Sequence, residues 1–179
     1  MVYVMLADGF EEIEALTVVD ILRRAKLEVK MVSVYNTRYV VGSHNIAVTA
    51  DIMFDEIDDN YQMIVLPGGM PGTTNLKNNK KLETLLIDAY KKNKYLAAIC
   101  AAPMVYGELG FLSGKKATCF PSFEKYLIDA KCCLDSVCHD GIMITSRGAG
   151  TAHKFAFKIV EILKDSATAD TLRDGMLYE

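Results

Sequence analysis

Short β-branched runs alternate with longer stretches of helical spacing from one end of the chain to the other, and this alternation restricts the fold severely. VYVML (2–6) is a buried strand by length and content, and Glu11 to Lys26 then carries the 3.6-residue period. EVKMVSV (28–34), NIAVTAD (45–51), MIVLPGG (63–69), YLAAIC (95–100), KATCF (116–120) and IMITS (142–146) read as further strands. KKLETLLIDAYKKN (80–93) is an amphipathic helix, a helix is expected from about Ala101, and Pro121 suits the first turn of another. The last strong helix sets Ala152, Phe155, Ala156, Ile159, Val160 and Leu163 on one face. Strands alternating with helices predict βαβ units, hence a mostly parallel sheet covered on both faces. With 179 residues and no repeat, linker or low-complexity tract, the chain is expected to form one α/β domain over 1–179.

Composition narrows the partners. A formal net charge of -3 gives no electrostatic reason to expect nucleic acid as the main partner. No apolar run approaches the roughly 20 residues that cross a bilayer. The N-terminus lacks a basic leader, so it is read as a strand and not as a signal peptide. Cys100, Cys119, Cys132, Cys133 and Cys138 are an odd set in a chain large enough to fold without staples. Free thiols in a reducing cytoplasm are the expectation.

Ligands in such folds sit beyond the carboxyl ends of the strands. Three stretches place chemistry there: Asp8 to Glu14, Pro67-Gly68-Gly69, and Cys100. A thiol between a strand and a helix lies near free N–H groups and the positive end of the helix dipole, which lowers its pKa. Ala101 and Ala102 keep that bend open. The competing reading is a buried core thiol, a common fate of free cysteine.

Glu14 weighs against that alternative. At 100° per residue it falls near Val18, Ile21 and Ala25, inside the apolar arc, while Thr17, Asp20 and Arg24 lie opposite. A carboxyl on a packed face is raised in pKa, so a protonated Glu14 can donate a hydrogen bond to a thiolate and shuttle a proton. Glu11 and Glu12 are read as complementing the helix N-terminus. Gly68 and Gly69 offer amides unobstructed by a Cβ, suited to an oxyanion facing the cysteine. Arg147-Gly148-Ala149-Gly150-Thr151 is an open loop expected at the pocket rim.

LADGFEEIEALTVVDILRRA, IVLPGGMPGTTNL, LAAICAAP and ITSRGAGTAHKFAFKIVEIL together resemble the ThiJ/PfpI superfamily, most closely the branch of the Parkinson-disease-associated protein DJ-one. The similarity runs from near the first residue to about Leu163. It implies a flavodoxin-like sandwich, usually a homodimer. It further implies that Cys100 matches an oxidation-sensitive nucleophile, Glu14 its protonated partner, and Gly69 with Ala101 the backbone donors beside it. Two departures stand out. Protease-like members carry a histidine after the cysteine, where this chain has Ala101, and members of the branch often carry one before the proline, where it has Phe120. None of His44, His139 and His153 sits on a strand-end motif that replaces it.

The resemblance implies a glutathione-independent glyoxalase or deglycase acting on methylglyoxal-type dicarbonyls or early glycation adducts, not a protease. The alternative is a redox sensor or stress-responsive chaperone signalling through Cys100 oxidation. No cofactor is expected. A metal site on Cys132, Cys133, Cys138 and His139 is disfavoured, because C-C-x4-C-H lacks the C-x-x-C units of zinc sites.

Overall fold

The computed structural model describes residues 1–178. In chain order its main elements are β1 (Val2–Leu6), α1 (Glu12–Arg24), β2 (Val29–Ser33), β3 (Tyr39–Val41), β4 (Ala47–Thr49), β5 (Ile52–Met53), β6 (Met63–Leu66), α2 (Gly72–Asn78) and α3 (Lys80–Lys91). Then follow β7 (Tyr95–Ile99), α4 (Pro103–Glu108), β8 (Lys116–Ala117), β9 (Lys131–Cys132), β10 (Val137–Asp140), β11 (Met143–Ser146), α5 (Ala152–Leu163) and α6 (Ser166–Gly175).

Seven strands form one sheet in the order β10-β11-β7-β6-β1-β2-β5. Every neighbouring pair is parallel except β10 with β11, which pair antiparallel at the edge. Alternation along the central strands feeds two cores. Val2, Val4 and Leu6 of β1 join Met63 and Val65 of β6 on the face covered by α1 and α5. Tyr3 and Met5 join Ile64 and Leu66 on the face covered by α2, α3 and α4. The period of two is thus obeyed within runs that look uniformly apolar, because both faces of a parallel sheet are buried. The result is the expected sheet between helix layers, a single flavodoxin-like domain.

Several expectations are corrected. The segment around NIAVTAD contributes only β4, which pairs with β3 in a separate hairpin. KATCF contributes β8, which pairs with β9 outside the main sheet. Pro121 opens a turn in which Ser122 takes a positive φ of 74°, so no helix starts there; a single 3₁₀ turn follows at Glu124–Tyr126. The helix expected from Ala101 begins at Pro103, because Cys100 itself adopts φ 65° and breaks the helical path.

The expectation of five free thiols is also overturned. Cys133 and Cys138 are joined as a disulfide, leaving Cys100, Cys119 and Cys132 free. The pairing has a local cause. Cys133 donates its amide to the Ala117 carbonyl just past β9, and β10 folds back against β11 with Cys138 turned inward, bringing the two side chains together.

Candidate active site

The carboxyl ends of β1, β6 and β7 bring the three predicted stretches together. After β1 the chain turns through Gly9, whose φ of 84° is in the left-handed region. Glu11 then caps α1: its side chain accepts the Glu14 amide at 2.7 Å, and its own amide donates to the Gly68 carbonyl at 2.9 Å. The expectation for Glu11 holds.

Glu14 is the buried carboxyl that the helical wheel indicates, at 1% exposure. Its Oε2 accepts the Gly68 amide at 2.8 Å, while Oε1 is buried without a hydrogen-bond partner. Burial pushes its pKa up to about 7, against the opposing pull of hydrogen bonds from Cys100 and Gly68. With Oε2 occupied by an N–H, the acid proton belongs on Oε1.

Gly68 is a glycine for reasons of space. A Cβ there would stand 2.6 Å from the Cys100 Cβ and 2.7 Å from Glu14 Oε2. Its amide is committed to Glu14, so it is not the free oxyanion donor expected from the sequence. Gly69 has φ 88°, and a Cβ on it would meet the Glu11 amide and the Gly9 carbonyl at 2.5 Å. Two backbone turns therefore touch with no side chain between them.

Cys100 is half-buried, in the strained left-handed region where a nucleophile at a strand-to-helix bend is displayed. Its amide donates to the Ser146 carbonyl at 3.0 Å, and its carbonyl accepts the Phe120 amide at 2.8 Å. The Gly69 and Ala101 amides lie near the sulfur and pull its pKa down. The expected lowering by a helix dipole is not found, since α4 is short and starts three residues later. Burial, and then the charge of Glu14, push the thiol up to about 12. The Glu14 contribution requires an ionised carboxylate. When Glu14 holds its proton, that repulsion is gone and the carboxyl O–H, with the two amides, favours a thiolate. The pair is thus a one-proton device.

The remaining predicted groups lie apart or carry other duties. Glu12 is only 5% exposed and does more than complement a helix end. Its carboxylate accepts the His44 amide at 2.7 Å, the His44 Nδ1 at 2.7 Å and the Ser43 hydroxyl at 3.2 Å. The bond to Glu12 raises the His44 imidazole's pKa, and, against the upward pull of burial, the bonds from His44 and Ser43 together hold Glu12 low. No spacing rule points from residue 12 to residue 44, so sequence reasoning missed the pair. His139 places Nε2 2.8 Å from the Gly141 carbonyl, and His153 stacks on Tyr178. Cys119 is buried beside Cys132 and Glu124, and burial pushes its thiol up to about 12. With Cys133 bonded to Cys138 and His139 turned to Gly141, the four-residue metal set is not assembled. Arg147 and Gly148 form part of the rim, as expected: a Cβ on Gly148 would lie 3.4 Å from the Phe120 ring and 4.0 Å from Glu14 Oε1.

Comparison with known proteins bears on the family and the fold. The DJ-1/PfpI family pattern matches residues 1–162. The chain is 42% identical over 162 residues to DJ-1 homolog B of Arabidopsis thaliana, covering 89% of this chain and 37% of that protein. It is 34% identical over 177 residues to dj-1beta of Drosophila melanogaster, covering 97% and 95%. A deglycase of Pyrococcus abyssi is 28% identical over 166 residues, covering 91% and 99%. The oxidized DJ-1 of Toxoplasma gondii superposes with a TM-score of 0.94 at 35% identity, over 99% of this chain and 97% of that one. The chain spans less than half the length of the two Arabidopsis relatives it matches. A family pattern that runs from β1 into α5, through every strand end that builds the Cys100–Glu14 pair, leaves one assignment: the chain belongs to the DJ-1/PfpI family.

Proposed function

We propose that the protein is a cysteine-dependent enzyme acting on small reactive dicarbonyls, a glyoxalase that needs no glutathione, with deglycase action on early glycation adducts as the same chemistry on a larger substrate. The observation that carries this reading is the unpartnered Oε1 of buried Glu14 beside a sulfur that two backbone amides already address. The deglycase of Pyrococcus abyssi, similar over most of both chains, supports it.

The Cys100 thiolate adds to the aldehyde carbon of methylglyoxal, forming a C–S bond, and the oxygen takes the proton from Glu14. The resulting carboxylate removes the hydrogen from that same carbon, the hydroxyl proton passes from the first oxygen to the neighbouring carbonyl oxygen through an enediol, and Glu14 returns the abstracted proton to the neighbouring carbon, giving a thioester of lactate. Water then cleaves the thioester, releasing lactate and the free thiol. The net change is addition of one water, with oxidation at one carbon balanced by reduction at its neighbour. Without a histidine at Phe120, Glu14 is the sole side chain moving protons, so turnover is slow. Methylglyoxal loss and lactate formation, compared in wild type, Cys100→Ala and Glu14→Gln, test the reading; equal rates in all three would falsify it.

The absent histidine also favours a second reading, in which Cys100 is a sensor oxidised by peroxide to the sulfinic acid. Protonated Glu14 and the Gly69 and Ala101 amides supply three donors for the sulfinate oxygens. Intact mass after mild peroxide discriminates: oxygen spread over Cys119 and Cys132, instead of concentrated on Cys100, counts against it. We further propose a homodimer in the cytoplasm as the working form, the usual assembly of the family.

A further inference from the structure

A groove of about 380 Å³ runs beside the Cys100–Glu14 pair, lined by Phe120, Pro121, Arg147 and the loop from Gly148 to Thr151. Phe120 is 46% exposed, and what it exposes is groove wall, not isolated surface. Its backbone is fixed to the site, since its amide donates to the Cys100 carbonyl at 2.8 Å. Phe123 meets the ring edge-on at a centroid distance of 6.4 Å and supports it. Gly148 has an extended backbone at φ 165°, open to any residue, so its lack of a side chain is about room and not conformation. A Cβ there would stand in the neck between the Phe120 ring and Glu14 Oε1. The groove therefore lies next to the catalytic pair, separated from the buried Glu14 Oε1 by the Gly148 backbone, and its wall is aromatic. Along the same groove, the Arg147 guanidinium, steadied by the Leu134 carbonyl at 3.2 Å, presents a planar cation.

Resting on the dicarbonyl reading above, we propose that this groove holds the substituent next to the reacting carbonyl, and that it selects α-oxoaldehydes bearing a flat apolar group, an aryl group above all. A methyl substituent leaves most of the groove filled with water. A phenyl ring displaces that water, packs against Phe120 and Pro121, and offers its face to the guanidinium. Phe120 is accordingly a specificity residue, acting through contact with the substituent and taking no part in proton transfer.

The test compares kcat/KM for phenylglyoxal and methylglyoxal in wild type, Phe120→Ala and Phe120→Tyr. The wild type is expected to prefer phenylglyoxal by about tenfold, as one aromatic contact of this kind supports. Phe120→Ala is expected to lose that preference mainly through KM, and Phe120→Tyr to keep it. A second readout needs no turnover: the rate of Cys100 labelling by N-phenyl iodoacetamide relative to iodoacetamide, each normalised to its reaction with free glutathione. Labelling that favours the aryl reagent and loses the bias in Phe120→Ala supports the groove even when no dicarbonyl is consumed, in which case only the glyoxalase reading falls. A preference untouched by Phe120→Ala, or no aryl bias in either assay, overturns the proposal.

Discussion

Glu14 hangs from Gly68 by one oxygen: Oε2 accepts the amide at 2.8 Å, and Oε1 is buried with no hydrogen-bond partner. That asymmetry makes Cys100 and Glu14 titrate as a unit. The first proton leaves the pair at about pH 7 or below, and the second is held up to about 12. Between these limits the division of the shared proton between sulfur and oxygen is fixed. Labelling of Cys100 by iodoacetamide should rise towards pH 7 and then stay flat, instead of climbing through the roughly 8.5 of a free thiol. In Glu14→Gln the plateau should vanish and a single titration appear. A wild-type rate that keeps rising through pH 9 refutes the shared proton.

The same burial has a stability consequence. An unfolded Glu14 titrates near 4.5 and the folded one at about 7, so between these values the native state binds more protons than the unfolded chain. Stability from this group is therefore lost as pH rises from 4.5 to 7, by roughly 3 kcal/mol. Chemical denaturation of wild type and Glu14→Gln across pH 4 to 8 isolates the effect. The difference between the two curves should favour the variant increasingly with pH, and a difference that is flat with pH contradicts the raised carboxyl.

Gly68 should tolerate no side chain, whereas Gly150, in the same rim region as Arg147, has open space around a Cβ. Gly68→Ala forces its methyl against both Cys100 and Glu14 and should cost roughly 1–3 kcal/mol, together with a changed Cys100 labelling rate. Gly150→Ala should stay within about 0.5 kcal/mol of wild type with unchanged labelling. Equal behaviour of the two variants in thermal melts and labelling would show that the close approach at Gly68 is not required.

The cysteine pairing gives a direct count. Alkylation of the unfolded chain without reductant should label three cysteines, Cys100, Cys119 and Cys132, and with reductant all five. Five labels without reductant would restore the all-thiol reading. The bridge spans a sequence separation of only 5, so its loss should lower global stability by no more than about 2 kcal/mol.

What the sequence made legible follows from what each interaction depends on. Strands β1, β6, β7 and β11 are short apolar runs with sharp ends, and a buried parallel sheet needs little else. Glu14 was visible because helical periodicity alone places it among Val18, Ile21 and Ala25. Helix α2 was not, since GTTNLKN has one large apolar residue, Leu76, and its first amide is satisfied by the distant Gly9 carbonyl. Strand β10 reads VCHD; the sequence places a strand near Cys132 to His139, but with no apolar alternation its antiparallel pairing with β11 is not legible. The Glu12–His44 contact and the Cys133–Cys138 bridge depend on how loops return, which residue spacing does not encode. The Cys100 thiol departs from expectation because burial dominates its surroundings and α4 starts at Pro103, too late to aim its dipole at the sulfur.

Glu11 gives the site a stiff side and a yielding side. Its amide holds the Gly68 carbonyl while its carboxylate holds the Glu14 amide, and Glu14 in turn holds the Gly68 amide. The Gly68 peptide is thus gripped at both ends by the first turn of one helix, and the three residues form a closed ring that moves as one body. A ligand too large for the resting cleft gains no room by pressing there. Phe120, by contrast, is tied to Cys100 through one backbone hydrogen bond and braced by Phe123, so the cleft is held by a closed ring on one flank and by a single tether on another.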